Sequence, residues 1–137
     1  IAQDLGITSA DRVRLFQSSI YRGMMPKVYA VFESVTIVPG IKGDKETSLL
    51  RMRQKMIGSE KFSAGVFIGG MDGVEEEYRM FCAAHPNATV LPVASTGAAA
   101  LRIFNEQPAA YPRELKDDYA YPTLFRRLLG LQSSPPR

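Results

Sequence analysis

The chain has 137 residues, about the size of one domain, and its 45% hydrophobic and 23% charged residues exclude a disordered or collagen-like class. The net charge is only +3, and the chain lacks the broad basic face of a nucleic-acid-binding protein, so no nucleic-acid partner is expected. A single cysteine excludes a disulfide scaffold, and with only one histidine beside it the sequence predicts no metal site. The apolar runs are too short to span a membrane and no signal peptide is visible, so we expect a cytoplasmic protein without a membrane partner.

The first half of the chain predicts alternating helices and strands. Basic and apolar residues alternate over residues 12–17, which is the period of a strand, and residues 35–38 are a β-branched strand that stops at Pro39 and Gly40. A first helix ends at Gly6, a second runs from Pro26 to residue 33, and a third covers residues 44–56.

The second half continues the alternation. The unbroken apolar run at residues 64–68 predicts a strand buried on both faces of a parallel sheet, and residues 89–93 predict another strand. The remaining predictions are helices at 73–84, 97–105 and 119–129, a loop at 107–112 and a polar tail at 132–137. This order predicts a Rossmann-like α/β domain over residues 1–131, with a mainly parallel sheet flanked by helices on both faces.

A glycine-rich segment, residues 69–73, joins a predicted buried strand to a predicted helix. It consists of Gly69, Gly70, Met71, Asp72 and Gly73, and we call it the glycine turn. Glycine allows close approach of the backbone, and the N–H groups at a helix start favour an anion, so we expect a phosphate here. The alternative is a tight turn without a ligand.

Acidic residues follow the glycine turn in the first turns of the helix. Glu75, Glu76 and Glu77 either stabilise the helix dipole or supply a carboxylate to a ribose or to general acid–base chemistry. Neighbours on a helix point about 100° apart, so at most one or two of the three can face a ligand-binding cleft beside the glycine turn. Glu76 and Glu77 are our candidates.

Hydroxyl-bearing residues follow the next predicted strand. Ser95 and Thr96, with Gly97, either cap the following helix or bind a ligand, and capping alone is a sufficient explanation. If the two strands are adjacent, this segment lies beside the glycine turn.

Two further segments supply candidate polar contacts. Arg51, Arg53 and Lys55 include residues suited to phosphate recognition, although we expect at least two of the three to lie on an exposed helix face. Gln17 and Ser18 end a predicted strand, where α/β sheets place their ligands.

These segments resemble a known family. The glycines of the turn, together with Glu76 and Glu77, resemble the glycine motif of the LOG phosphoribohydrolases. The resemblance is closer still to the wider SLOG superfamily of LOG- and DprA-like nucleotide-sensing domains. The resemblance spans residues 1–129 and extends to segments 17–18, 43–44, 48–49, 52–53, 67–71, 73–76 and 91–97. It points to the SLOG branch that accompanies TIR or sirtuin-like effectors in bacterial defence proteins.

The resemblance implies roles for particular residues. LOG enzymes cleave the N-glycosidic bond of a nucleoside monophosphate with an arginine and a glutamate, and Arg53 and Glu76 or Glu77 are the matching positions. The chain departs from the LOG motif by an extra residue between Gly70 and Gly73 and by Val74 in place of threonine. The family domain normally opens with a strand and a glycine-rich turn, which we expect to be absent from the sequence as it starts here.

The residues and the resemblance together favour a sensor of a nucleotide-derived, ADP-ribose-like ligand that regulates an effector domain or partner protein. A LOG-like nucleoside 5′-monophosphate phosphoribohydrolase and a ligand-free structural module are the alternatives. No separate cofactor is expected. A homo-oligomer is expected, and the aromatic residues of the C-terminal segment supply either its interface or core packing: Tyr111, Tyr119, Tyr121 and Phe125.

Overall fold

The structure is a computed structural model that describes residues 13–24 and 34–131. The chain forms two compact units, Ile1–Ser59 and Glu60–Arg137. Three predicted features lie outside the described residues: the helix ending at Gly6, the helix at 26–33 and the tail at 132–137.

The described part of the first unit contains two parallel strands and one long helix. Strand β1 (Arg14–Ser18) pairs in register with β2 (Ser34–Val38), and a 3-10 helix at Ser19–Met24 follows β1. Helix α1 (Lys45–Ile57) packs against both strands. The predicted helix at 44–56 and strand at 35–38 are therefore confirmed to within one residue.

Hydroxyl groups fix the connection between β2 and α1. Ser48 on α1 accepts a hydrogen bond from the Ile41 N–H at 2.7 Å, and its hydroxyl donates to the Asp44 carbonyl at 2.5 Å. The Gly40 N–H donates to the Ser19 hydroxyl at 2.8 Å. The bonds to Ser48 and Ser19 satisfy the Ile41 and Gly40 N–H groups in the connection that follows the strand.

The second unit repeats the arrangement of parallel strands and helices. Strand β3 (Ala64–Ile68) pairs in register with β4 (Thr89–Val93), and α2 (Asp72–Ala84) connects them. Helix α2 comes close to β3 because Gly65 has no side chain, since a Cβ there would lie 2.7 Å from the Phe81 ring. The Phe67 ring packs edge-on against Phe81 and Tyr78.

The C-terminal helices cover β4 and form the core of this unit. Helix α3 (Ala98–Glu106) follows β4, and α4 (Glu114–Asp117) and α5 (Tyr121–Leu128) come after it. The core cluster consists of fully or nearly fully buried residues: Leu91, Val93, Ala94, Phe104, Leu115 and Leu124. Burying each valine, leucine or phenylalanine side chain of this cluster stabilises the fold by about 1.5–3 kcal/mol.

The α/β class and the Rossmann-like alternation of parallel strands and helices are confirmed, with two short parallel sheets flanked by helices. The prediction that β3 is buried on both faces is wrong. Phe67 is buried against α2, whereas Val66 and Ile68 on the other face are 37% and 59% exposed. The last predicted helix is shorter than expected, because Pro122 in the first turn of α5 fixes where that helix begins. The short helix α4, which precedes it, was not predicted.

No helix among residues 13–24 and 34–131 is long and apolar enough to cross a membrane.

Candidate functional site

The glycine turn leaves β3 in a conformation that depends on glycine. Gly69 and Gly70 have φ angles of +52° and +81°, in the left-handed region that glycine adopts without steric cost. A Cβ on Gly70 would lie 2.2 Å from Cγ2 of Val74 on α2. The chain can therefore turn into α2 at this point only because residue 70 has no side chain.

Thr96 holds the glycine turn from the neighbouring strand. Its hydroxyl accepts a hydrogen bond from the Gly69 N–H at 2.8 Å and donates to the Val93 carbonyl at 2.6 Å. The two turns that follow β3 and β4 are therefore in direct contact, as the sequence predicted for adjacent strands.

The carbonyl groups of the glycine turn complete the start of α3. The Ala99 and Ala100 N–H groups donate to the Gly70 and Gly69 carbonyls, both at 3.1 Å. Gly97, with φ of +74°, is the N-cap and no side chain caps the helix. The expectation that Ser95 or Thr96 caps α3 is wrong, because backbone carbonyls already satisfy the N–H groups that a cap would serve.

The start of α2 keeps backbone donors available. Gly69 is excluded as a donor to a ligand, since Thr96 already accepts its N–H. The N–H groups of Gly70, Met71 and Gly73 donate no hydrogen bond to any residue that the structure describes, and no side chain caps α2. These N–H groups lie at the positive end of a 13-residue helix and can donate hydrogen bonds to a bound anion.

Arg102 on α3 compensates the acidic residues at the start of α2. Its Nε donates to Glu75, and its Nη2 lies 3.3 Å from an Asp72 carboxylate oxygen. Two negative charges near the glycine turn are thereby paired with a cation. Sequence reasoning missed this residue, although Arg102 is the one cationic residue of α3 and therefore the one positive charge that this helix can bring to α2.

Two contacts between hydroxyl groups connect the elements around the glycine turn to the C-terminal segment. The Ser95 and Tyr121 hydroxyls lie 3.2 Å apart, and the Tyr78 and Tyr111 hydroxyls lie 2.7 Å apart. Burial, followed by the hydrogen bond to Tyr111, raises the pKa of Tyr78, so this hydroxyl stays protonated. Tyr111 and Tyr121 pack partly buried against the core, whereas Tyr119 is 68% exposed.

The other candidate residues lie on the helices and strands as follows. Glu76 and Glu77 are half-buried on α2 in the second unit. In the first unit, Arg53 is buried on α1 while Arg51 and Lys55 are exposed, in agreement with the expected exposed face.

The two candidates on β1 differ in exposure. Gln17 is half-buried, and Ser18 is fully buried, with its hydroxyl out of contact with solvent. Among the described residues, no group of three His, Cys, Asp or Glu side chains is placed to hold a metal ion.

These elements define an α/β protein of Rossmann-like type, with a glycine turn at the carboxyl ends of paired parallel strands. Comparison with family models matches residues 1–129 to the SLOG cluster3 family, and the chain belongs to that family. Membership confirms the resemblance to the SLOG superfamily and indicates a nucleotide-related function. Comparison with the curated proteins and with the solved structures finds no significant match.

Proposed function

We propose that this chain binds and senses a nucleotide or a nucleotide-derived ligand of the ADP-ribose type, with a ligand phosphate on the glycine turn. The observation that carries the proposal is the set of N–H donors of Gly70, Met71 and Gly73 at the uncapped start of α2. Membership of the SLOG cluster3 family supports the same class of ligand.

A phosphate suits this turn because the donors are fixed before the ligand arrives. Thr96 fixes Gly69, and α3 fixes the carbonyls of both glycines, so little backbone entropy is lost on binding. The helix dipole of α2 adds attraction for the anion. Arg102 offsets the opposing charges of Asp72 and Glu75.

The sugar of the ligand would lie beside the phosphate. We assign its hydroxyl groups to Ser95 and to Glu76 or Glu77, because carboxylate and hydroxyl oxygens accept hydrogen bonds from a ribose. Thr96 serves the turn itself, since its hydroxyl is already engaged both as acceptor and as donor.

Sensing requires that the bound state reaches another part of the protein. The glycine turn is joined to α3 by two backbone hydrogen bonds, and through Ser95 and Tyr121 the site is joined to α5. Binding would stiffen these elements together, and an effector or a second copy of the chain that contacts α5 would respond. A homo-oligomer and an effector partner are thus part of the proposal.

The test is calorimetric titration of the full chain with AMP, ADP-ribose, NAD and cyclic ADP-ribose. Binding of at least one, lost in Gly70→Ala, is the expected result. Gly130→Ala is the matched control, because Gly130 also has a positive φ, +64°, but open space around it. Binding that persists in Gly70→Ala, or no binding to the wild type, would contradict the proposal.

The same samples decide between a sensor and a hydrolase. A sensor leaves AMP intact, whereas a phosphoribohydrolase releases the free base, which chromatography detects. Base release that disappears in Glu76→Gln or Glu77→Gln would assign N-glycosidic hydrolysis to this site. Arg53→Gln would then test the implied role of the buried arginine.

A further inference from the structure

A small apolar cavity lies next to the glycine turn in the second unit. Its volume is about 100 Å³, and its walls are Ile68, Val93, Thr96, Tyr121 and Phe125. Two of these residues also frame the glycine turn. Ile68 directly precedes Gly69 in the chain, and Thr96 accepts the Gly69 N–H.

The aromatic wall of the cavity is oriented by its neighbours. The rings of Tyr121 and Phe125 lie nearly parallel, with an angle of 17° between their planes and 6.1 Å between their centres. The hydrogen bond between the Tyr121 and Ser95 hydroxyls holds the first ring in place. Aromatic rings next to aliphatic side chains favour a planar, largely apolar ring as the occupant.

Apolar surface continues from the cavity toward solvent. Ile68, one wall of the cavity, is 59% exposed. A volume of about 100 Å³ accepts the edge of a ring system but no whole nucleotide. The rest of such a ring would lie over the exposed Ile68 side chain and remove it from water.

We infer that this cavity is the base subsite of the site proposed above, and that it takes the purine ring of the nucleotide whose phosphate lies on the glycine turn. The inference rests on the proposed function. It assigns recognition of the base to stacking and apolar contact with Phe125, Tyr121 and Ile68, with the phosphate held separately by the turn.

The test compares AMP with ribose 5-phosphate, which has the same phosphate and sugar but no base. Base–aromatic stacking predicts that the wild type binds AMP roughly tenfold or more tightly than ribose 5-phosphate. In Phe125→Leu this ratio falls several-fold while binding of ribose 5-phosphate is unchanged. Phe62→Leu is the control, because Phe62 packs with Phe81 and His85 and is not a wall of this cavity.

Two further variants keep the test decisive if Phe125→Leu folds poorly. Ile68→Ser changes an exposed residue of the cavity edge and lowers the same ratio. The sequence contains no tryptophan, so Phe125→Trp adds a single indole, whose fluorescence AMP quenches and ribose 5-phosphate does not.

The outcomes separate the two proposals. An unchanged ratio in both Phe125→Leu and Ile68→Ser, with AMP still bound, overturns the base subsite and leaves the phosphate site standing. Failure of the wild type to bind AMP, ribose 5-phosphate and each of the other nucleotides titrated above overturns the phosphate site and the base subsite together.

Discussion

The Gly69 N–H donates a hydrogen bond to the hydroxyl of Thr96 at 2.8 Å, although the two residues are 27 positions apart in the sequence. The same hydroxyl donates to the Val93 carbonyl at 2.6 Å. One side chain therefore links the ends of both strands of this sheet. The linking group is the Thr96 hydroxyl, which the sequence predicted either to cap a helix or to bind a ligand.

Thr96→Val tests this link, because valine has the shape of threonine without the hydroxyl. We expect the free energy of unfolding to fall by about 1–3 kcal/mol, since the Gly69 N–H and the Val93 carbonyl both lose a partner. Urea denaturation measures the change. Thr123→Val is the control, an exposed threonine on α5, and an equal loss in both variants would contradict the prediction.

Gly70→Ala tests the contact between the glycine turn and α2. The new methyl group would overlap Val74, whose Cγ2 lies 2.2 Å from the ideal Cβ position, so we expect a loss of about 1–3 kcal/mol. Val74→Ala removes the overlapping atoms, and the double variant should lose less than the sum of the single ones by at least about 0.5 kcal/mol. Additive losses in denaturation experiments would show that this overlap is not the cause.

Arg102→Gln tests the charge compensation at the start of α2. We expect the free energy of unfolding to change by less than about 1 kcal/mol, because Arg102 and Asp72 are exposed and Glu75 is only half-buried. Affinity for AMP should fall roughly twofold to fivefold at low salt, since Asp72 and Glu75 then repel the phosphate, and the loss should shrink at high salt.

Arg79→Gln is the matched control for Arg102→Gln. It removes the same charge from α2 itself, where Nη2 of Arg79 lies 3.7 Å from a Glu75 carboxylate oxygen and where Arg79 forms no ion pair with Asp72. Calorimetric titration at two salt concentrations measures both variants. A loss of affinity as large in Arg79→Gln would mean that net charge, and not the pairing by Arg102, controls binding.

The glycine turn and the paired strands could be predicted from the sequence because their signals are local. An apolar run, then glycines, then a helix start predicted both β3 and the beginning of α2, and the parallel pairing with β4 brought Thr96 beside Gly69. Val66 and Ile68 show the limit of such reasoning. Apolar composition suggests burial, but whether a helix covers a given face depends on packing that no local pattern encodes.

The polar contacts of the site could not be predicted because they join distant residues. Arg102 contacts Glu75 across 27 positions, and Ser95 contacts Tyr121 across 26. The Ser95 and Thr96 hydroxyls looked like caps because a hydroxyl before a helix is usually one. The carbonyls of Gly69 and Gly70 take that role here, and that choice follows from how α3 packs onto the turn.

Asp44→Ala tests the cap of α1 and gives a pH signature. Hydrogen bonds from Thr47, first from its side chain and then from its backbone N–H, lower the pKa of Asp44. A lowered pKa in the folded state stabilises the protein above the unfolded-state value of about 3.9, and this contribution is lost as the pH falls through the folded-state value.

We therefore expect Asp44→Ala to lower the melting temperature near pH 7, with the gap to wild type closing as the pH falls below about 4. Glu46→Ala is the control, an exposed acidic residue of the same helical turn. Thermal unfolding from about pH 7 to about pH 3 measures the gap. A gap that stays constant with pH would show that the charge of Asp44 does not contribute.

Ser18→Ala and Ser48→Ala form a matched pair, because both serines are fully buried in the first unit. The Ser48 hydroxyl serves the Ile41 N–H and the Asp44 carbonyl, so its removal should cost about 1–3 kcal/mol. The Ser18 hydroxyl has no hydrogen-bond partner among the described residues, so removing this desolvated group should leave the protein equally or more stable. Urea denaturation separates the two cases. A loss in Ser18→Ala as large as that in Ser48→Ala would show that Ser18 bonds to a group outside residues 13–24 and 34–131.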